Sequence, residues 1–244
     1  GERRTVMITR KILNSLFAMG LALATSVAQA IPLSDLFEGG DIKVGDKLFN
    51  NWGLEYSESD TGIDFGEIEV TGLDTDPMNI GLHFDANGQL SVFGQDSFLD
   101  VSFVFDVTVL NPAYRINGSS LEITETDFAG EGGIIEIIET VSDSGGSEID
   151  VMDAYVDNFE GDEMLMDSLA FGPQASVSII KEILLFTDDS EDDSAELVSF
   201  EQHFSQTRES VGVPEPSTLF LMGIGLAAIG VVRRRPQVPR VLSS

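Results

Sequence analysis

Between Phe98 and Leu110 apolar residues recur at every second position. Leu99, Val101, Phe103, Phe105, Val107 and Val109 share one side, while Asp100, Ser102, Asp106 and Thr108 share the other. A period of two places successive side chains on opposite faces of an extended chain. The run therefore demands a strand buried on one face. Such a strand needs hydrogen-bonded neighbours on both sides and a second layer over its apolar face. Shorter runs supply the neighbours: Glu67 to Val70, Asn79 to Phe84, Leu90 to Phe93, Ser120 to Thr124, Ile134 to Glu139, Glu148 to Val156, Met164 to Phe171, Ser176 to Phe186 and Leu197 to Phe204. In Ser176 to Phe186 the residues Val177, Ile179, Ile183 and Leu185 share a face that Lys181 interrupts. Asp85-Ala86-Asn87-Gly88 carries the Asn-Gly pair favoured in tight hairpins, and predicts one between its flanking strands. Glycine-rich or acidic turns separate the runs, and no long helical period appears away from the two ends. The expectation is an all-β fold, an antiparallel β-sandwich or jelly-roll-like domain over residues 31–206.

The charge balance narrows the partners. Between Ile31 and Val213 lie forty acidic residues and five basic ones, Lys43, Lys47, Arg115, Lys181 and Arg208, for a net charge of -35. Such a domain lacks the basic footprint that nucleic acid requires. It attracts divalent cations and cationic polymers, although charge of this kind also serves solubility alone. The chain has no cysteine, which excludes disulfides, thiolate catalysis and cysteine-based zinc sites.

Both ends carry address signals. Arg10-Lys11 precedes an apolar stretch from Ile12 to Ala24, and small residues close it at Ala28-Gln29-Ala30. A positive segment, an apolar segment and an A-x-A site are the three parts of a secretory signal peptide. Residues 1–30 are therefore expected to form a signal helix that engages the secretion translocon, with signal peptidase cutting after Ala30. At the other end, residues 207–213 form a short polar linker. Pro214-Glu215-Pro216 follows, then an uncharged apolar run from Leu219 to Val232, then Arg233, Arg234 and Arg235. The apolar run is somewhat short of the roughly 20 residues that span a bilayer, a gap that snorkelling arginines can close. The arginines are expected on the cytoplasmic side, with residues 236–244 as a cytoplasmic tail.

The order, spacing and position of these parts over residues 214–235 resemble the PEP-CTERM sorting signal. The resemblance implies an exosortase substrate that is held transiently at the inner membrane by a transmembrane helix, cut near Pro214-Glu215-Pro216, and delivered to the cell surface or extracellular matrix. Proteins with this signal accompany exopolysaccharide and biofilm systems. The prolines keep the junction extended and out of any helix.

For the domain between the signals, no catalytic constellation stands out. His83 and His203 lack metal-ligand spacing, and there is no Gly-x-Ser-x-Gly elbow. Forty carboxylates make any acid pair expected by chance, so none is selected for glycoside hydrolysis. No catalytic residue and no cofactor are assigned, and the domain is expected not to be an enzyme. The acidic turns holding Asp60, Asp64, Asp74 and Asp76 offer oxygen ligands of the kind a structural calcium ion takes, with plain solvation as the competing reading. Trp52 and Tyr56, four residues apart, can share a strand face and stack on a sugar, or belong to the core. Two functional classes follow: a structural or adhesive matrix protein, and a carbohydrate-binding module or glycan-active enzyme delivered by the same route, with exopolysaccharide as the partner.

Overall fold

The computed structural model describes residues 29–188 and 190–209. In chain order the elements are β1 (Ile31–Pro32), α1 (Leu33–Phe37), β2 (Ile42–Val44), β3 (Lys47–Ser59), β4 (Glu69–Leu73), β5 (Asn79–Asp85), β6 (Ser91–Phe93), β7 (Phe98–Val109), β8 (Tyr114–Ala129), β9 (Gly133–Asp143), β10 (Glu148–Asp157), β11 (Asp162–Met164), β12 (Met166–Gln174), β13 (Ser176–Thr187) and β14 (Ser194–Arg208). Two seven-stranded sheets result. The first runs β1-β4-β5-β14-β8-β12, with β6 also on β14; the second runs β11-β10-β9-β13-β7-β3-β2. Every ladder is antiparallel.

The alternation read in β7 is realised residue by residue. Leu99, Val101, Phe103, Phe105 and Val107 are almost wholly buried, and β13 and β3 flank the strand on either side. Ile135, Ile137 and Val141 of β9 and Val177, Ile179, Ile183 and Leu185 of β13 extend the same inner face. The first sheet answers with Leu82, Phe84, Leu121, Ile123, Phe200 and Phe204. Phe84 stacks on Phe200 at 4.4 Å and 8° within the first sheet, Trp52 stacks on Phe105 at 4.4 Å and 18° within the second, and across the layers Phe84 meets Trp52 and Phe103 at 6.3 and 6.1 Å. The sheets are thus held by a continuous apolar layer, the dominant favourable term in folding.

The sheet margins come close together on one side. A side chain at Gly72 of β4 would place its Cβ 2.5 Å from Val44 Cγ2 of β2, so the two sheets can approach there only over a glycine. The short helix α1 buries Leu33 and Leu36 and brings Phe37 against Phe65 and Phe103.

Two expectations are corrected, and one strand has no counterpart in the sequence reading. The Asn-Gly turn does not make a hairpin. Asn87 and Gly88 do adopt positive φ, but β5 and β6 lie one after the other along the same strand, β14. Ala86 N donates to Val198 O and Leu197 N donates to Leu90 O, which keeps the chain on that neighbour through the turn. The strand β3 carries no alternation that sequence reading could find. Its inward residues are Lys47, Phe49 and Trp52, because a bulge at Asn50–Gly53, with Asn51 at φ 57, breaks the period. Finally, β14 continues to Arg208, two residues past the expected domain limit at 206. Ala28 and the whole segment from Pro214 to Arg235 lie outside the described residues, as do the expected signal helix and transmembrane helix. Among the described residues no helix is long and apolar enough to cross a membrane.

Candidate functional sites

The strand that leads to the C-terminal address is central. β14 pairs with β8 along almost its full length and with β5 and β6 on its other side. Its last residues are fixed by Thr207 opposite Arg115, Arg208 opposite Tyr114, and an ion pair from Arg115 to Glu209 at 2.7 Å. From Glu209 only four residues remain before Pro214.

The residues considered for calcium do not converge. Asp60 and Asp64 lie between β3 and β4, whereas Asp74 and Asp76 lie between β4 and β5, at the opposite end of β4. Two of the four cap turns, Asp64 Oδ1 accepting from Gly66 N and Asp76 Oδ1 from Met78 N, and Asp60 Oδ2 accepts from Phe98 N at the start of β7. Among the described residues no group of three or more histidines and carboxylates is arranged to hold a metal ion.

The pair considered for sugar stacking is split. Trp52 is buried in the aromatic core, and its indole N–H donates to Phe49 O at 3.3 Å. Tyr56 pairs with outward-facing Ser102 and is 46% exposed. A register shift between Leu54 and Tyr56 turns the two rings to opposite faces, despite their even spacing. Tyr56 donates its hydroxyl proton to Glu58, and Tyr155 donates to Asp162 at 3.0 Å. Each carboxylate raises the pKa of its tyrosine. On this outer face of the second sheet, partial burial raises the pKa values of Asp100, Glu136 and Asp153. Repulsion adds to the effect, from Glu58 on Asp100, from Asp153 and Glu182 on Glu136, and from Asp167 on Asp153.

The two histidines meet on the outer face of the first sheet, at one carboxylate. His203 Nε2 lies 3.0 Å from Glu201 Oε2, and His83 Nδ1 lies 3.4 Å from Glu201 Oε1. His203 Nδ1 lies 3.3 Å from Asn79 O. Sequence spacing hides this cluster, because His83 comes from β5 and the other two from β14.

Sequence reading also missed a polar ring inside the core. Lys181 of β13 and Glu139 of β9 are cross-strand neighbours, both wholly buried, with Nζ 2.5 Å from Oε2. Lys181 Nζ also donates to Gln202 Oε1 of β14 at 2.9 Å. Gln202 Nε2 donates to Ser119 Oγ of β8 at 2.8 Å, and Ser119 Oγ donates to Glu139 Oε1 at 3.3 Å. The ring thus closes across both sheets. Phe200 covers the ammonium at 5.4 Å. Burial lowers the pKa of Lys181 against the opposing pull of Glu139, and burial raises the pKa of Glu139 against Lys181, Ser119 and Gln202. A second inward lysine, Lys47, donates to Gln206 Oε1 at 2.9 Å, but its nearest carboxylate, Asp46, is 3.8 Å away and partly exposed.

The comparisons with known proteins divide between the two parts of the chain. Among curated proteins none matches it. Solved structures that resemble it include the following three, all at low TM-score. One is the carbohydrate-binding module TmCBM61 in complex with beta-1,4-galactotriose (16% identity, 61% of this chain and 92% of that one, TM-score 0.24). Another is the enzymatically active domain of bacteriophage CBA120 tailspike protein 4 (10% identity, 62% and 19%, TM-score 0.25). The third is a DUF4465 family protein from Bacteroides caccae (11% identity, 62% and 99%, TM-score 0.21). At the C-terminal end, residues 212–235 match the family described as the PEP-CTERM protein-sorting motif. With its prolyl junction, apolar run and arginine cluster, the segment 212–235 that follows β14 in the sequence thus carries a PEP-CTERM protein-sorting motif.

Proposed function

We propose that the β-sandwich is the cargo of an exosortase pathway, and that it serves at the cell surface or in the extracellular matrix as a structural or adhesive protein without enzymatic activity. The observation that carries this reading is the sorting motif at residues 212–235, set just after the last strand of the fold. In this reading the signal peptide is removed after Ala30 and the sandwich emerges on the outer side of the inner membrane. Exosortase then reaches the extended Pro214-Glu215-Pro216 junction, while Arg233, Arg234 and Arg235 keep the anchor oriented. The acidic surface suits a hydrated matrix, where like charge keeps the domains dispersed and divalent ions or cationic polymer can bridge them.

Mass measurement of the mature C-terminal peptide from the native host, with and without exosortase, tests the proposal. A C-terminus near Pro216 that appears only with exosortase supports it. A C-terminus at Ser244 in both strains overturns the processing step.

The exposed ring of Tyr56 favours a second reading, a carbohydrate-binding module. A flat aromatic face beside hydrogen-bonding carboxylates is a suitable platform for a sugar ring. Retention on an immobilised exopolysaccharide that is lost in Tyr56→Ala would favour this reading over inert matrix.

A further inference from the structure

We propose that Lys181 and Gln202 become joined by an autocatalytic isopeptide bond, with Glu139 as the general acid and base. Three observations meet at this point. The amine and the carboxamide lie on different sheets yet are held at 2.9 Å. A wholly buried carboxyl touches the amine. The folded core fixes all three groups, which turns a slow bimolecular aminolysis into an intramolecular one.

The step balances without any added reagent. Glu139 takes a proton from the Lys181 ammonium and leaves a neutral amine. The Nζ lone pair attacks Cδ of Gln202, one bond beyond the oxygen it now hydrogen-bonds. The Nζ–Cδ bond forms, the Cδ–Nε2 bond breaks, and ammonia leaves. Glu139 passes that proton to the departing nitrogen, which leaves as NH3, and Ser119 Oγ, within hydrogen-bond reach of both Nε2 and Glu139 Oε1, bridges the transfer; the attacking nitrogen then gives its surplus proton to Glu139, which ends as the neutral acid. Low polarity around the ring favours the neutral amine and the neutral acid that the step requires. Lys47 and Gln206 make the informative contrast. Their geometry is similar, but the acid beside Lys47 among the described residues, Asp46, is 3.8 Å away and partly solvated, so no bond is expected there. In a chain without cysteine, such a bond would cross-link the sheets as a disulfide would, but beyond the reach of reductants.

The test is peptide mapping of the full chain by mass spectrometry after trypsin digestion. The only tryptic site between Arg115 and Arg208 is Lys181. With the bond in place, trypsin leaves residues 116–208 as one piece, lighter than its sequence by about 17 Da, the mass of ammonia. Lys181→Met and Gln202→Leu should each restore the sequence mass. Glu139→Gln should do the same while leaving both partners present. Cleavage after Lys181 in the folded wild-type protein, with both linear peptides at sequence mass, overturns the proposal. This wild-type result decides the matter even if every variant fails to fold. A loss of about 18 Da, with Lys181 joined to Glu139, also overturns it, because the acyl donor would then be the acid and water would leave.

Discussion

Replacing Phe84 by alanine tests whether the two sheets are joined by the aromatic layer described above. The side chain is wholly buried, stacks on Phe200 at 4.4 Å, and meets Trp52 and Phe103 of the opposite sheet at 6.3 and 6.1 Å. Its transfer from water contributes about 2 kcal/mol. Truncation empties roughly 100 Å³, which at about 24 cal/mol per Å³ adds about 2.4 kcal/mol if the walls stay in place. The walls are strands paired on both sides, so little collapse is expected. A small apolar void of about 10 Å³ already borders the ring, and the new cavity would merge with it. The expected loss is therefore about 4 kcal/mol. Urea unfolding of the exported, processed protein measures it, as a lower midpoint at unchanged slope. Phe159→Ala is the control: that ring is 65% exposed, and its loss should change stability by less than about 0.5 kcal/mol. A loss below about 1 kcal/mol for Phe84→Ala would refute the view that this layer holds the sheets together.

Mild acid should stabilise the protein. Asp100, Glu136 and Asp153 have folded pKa values above their ordinary ones, so the folded state binds more protons than the unfolded state in the window between the two. Stability then falls as pH rises through that window. Thermal unfolding should occur at higher temperature at pH 5 than at pH 7.5, and salt should raise it at pH 7.5; a melting temperature that falls on acidification would contradict this. Gly81→Ala should cost about 1–3 kcal/mol, because the new Cβ would sit 2.2 Å from Gln202 O and 2.7 Å from the His203 ring, and denaturant unfolding reads the loss. Asp193→Ala should cost about 1–2 kcal/mol, since its buried carboxylate accepts from Glu131 N and organises the turn between β8 and β9; faster hydrogen exchange at residues 130–133 would report that local loosening.

The parts of the fold that sequence reading found are those where a local period meets a continuous core. β7 alternates without interruption and β13 does so apart from Lys181, so their faces follow from spacing alone. β3 escaped notice because its bulge shifts the inward set from even spacing to Lys47, Phe49 and Trp52, and because lysine is not expected inside. Tyr56 and Trp52 illustrate the same limit, since one register shift reverses a face. Lys181 registered only as an interruption in an apolar row. Its partners stand 42 and 21 residues away, on β9 and β14, and only the stacking of two sheets brings them together. The C-terminal address was fully legible, because its recognition rests on linear order and not on folding.

The placement of β14 has a mechanical consequence. Any force transmitted through the C-terminal end enters at Arg208 and runs along the axis of that strand. β8 grips it on one side from Ser194 to Arg208, while β5 and β6 grip it on the other. Pulling along this axis loads the flanking hydrogen bonds together in shear, whereas an edge strand pulled sideways would unzip them one at a time. A domain tugged by flow or by neighbouring cells while held at this end would yield abruptly at high force and extend little before it did.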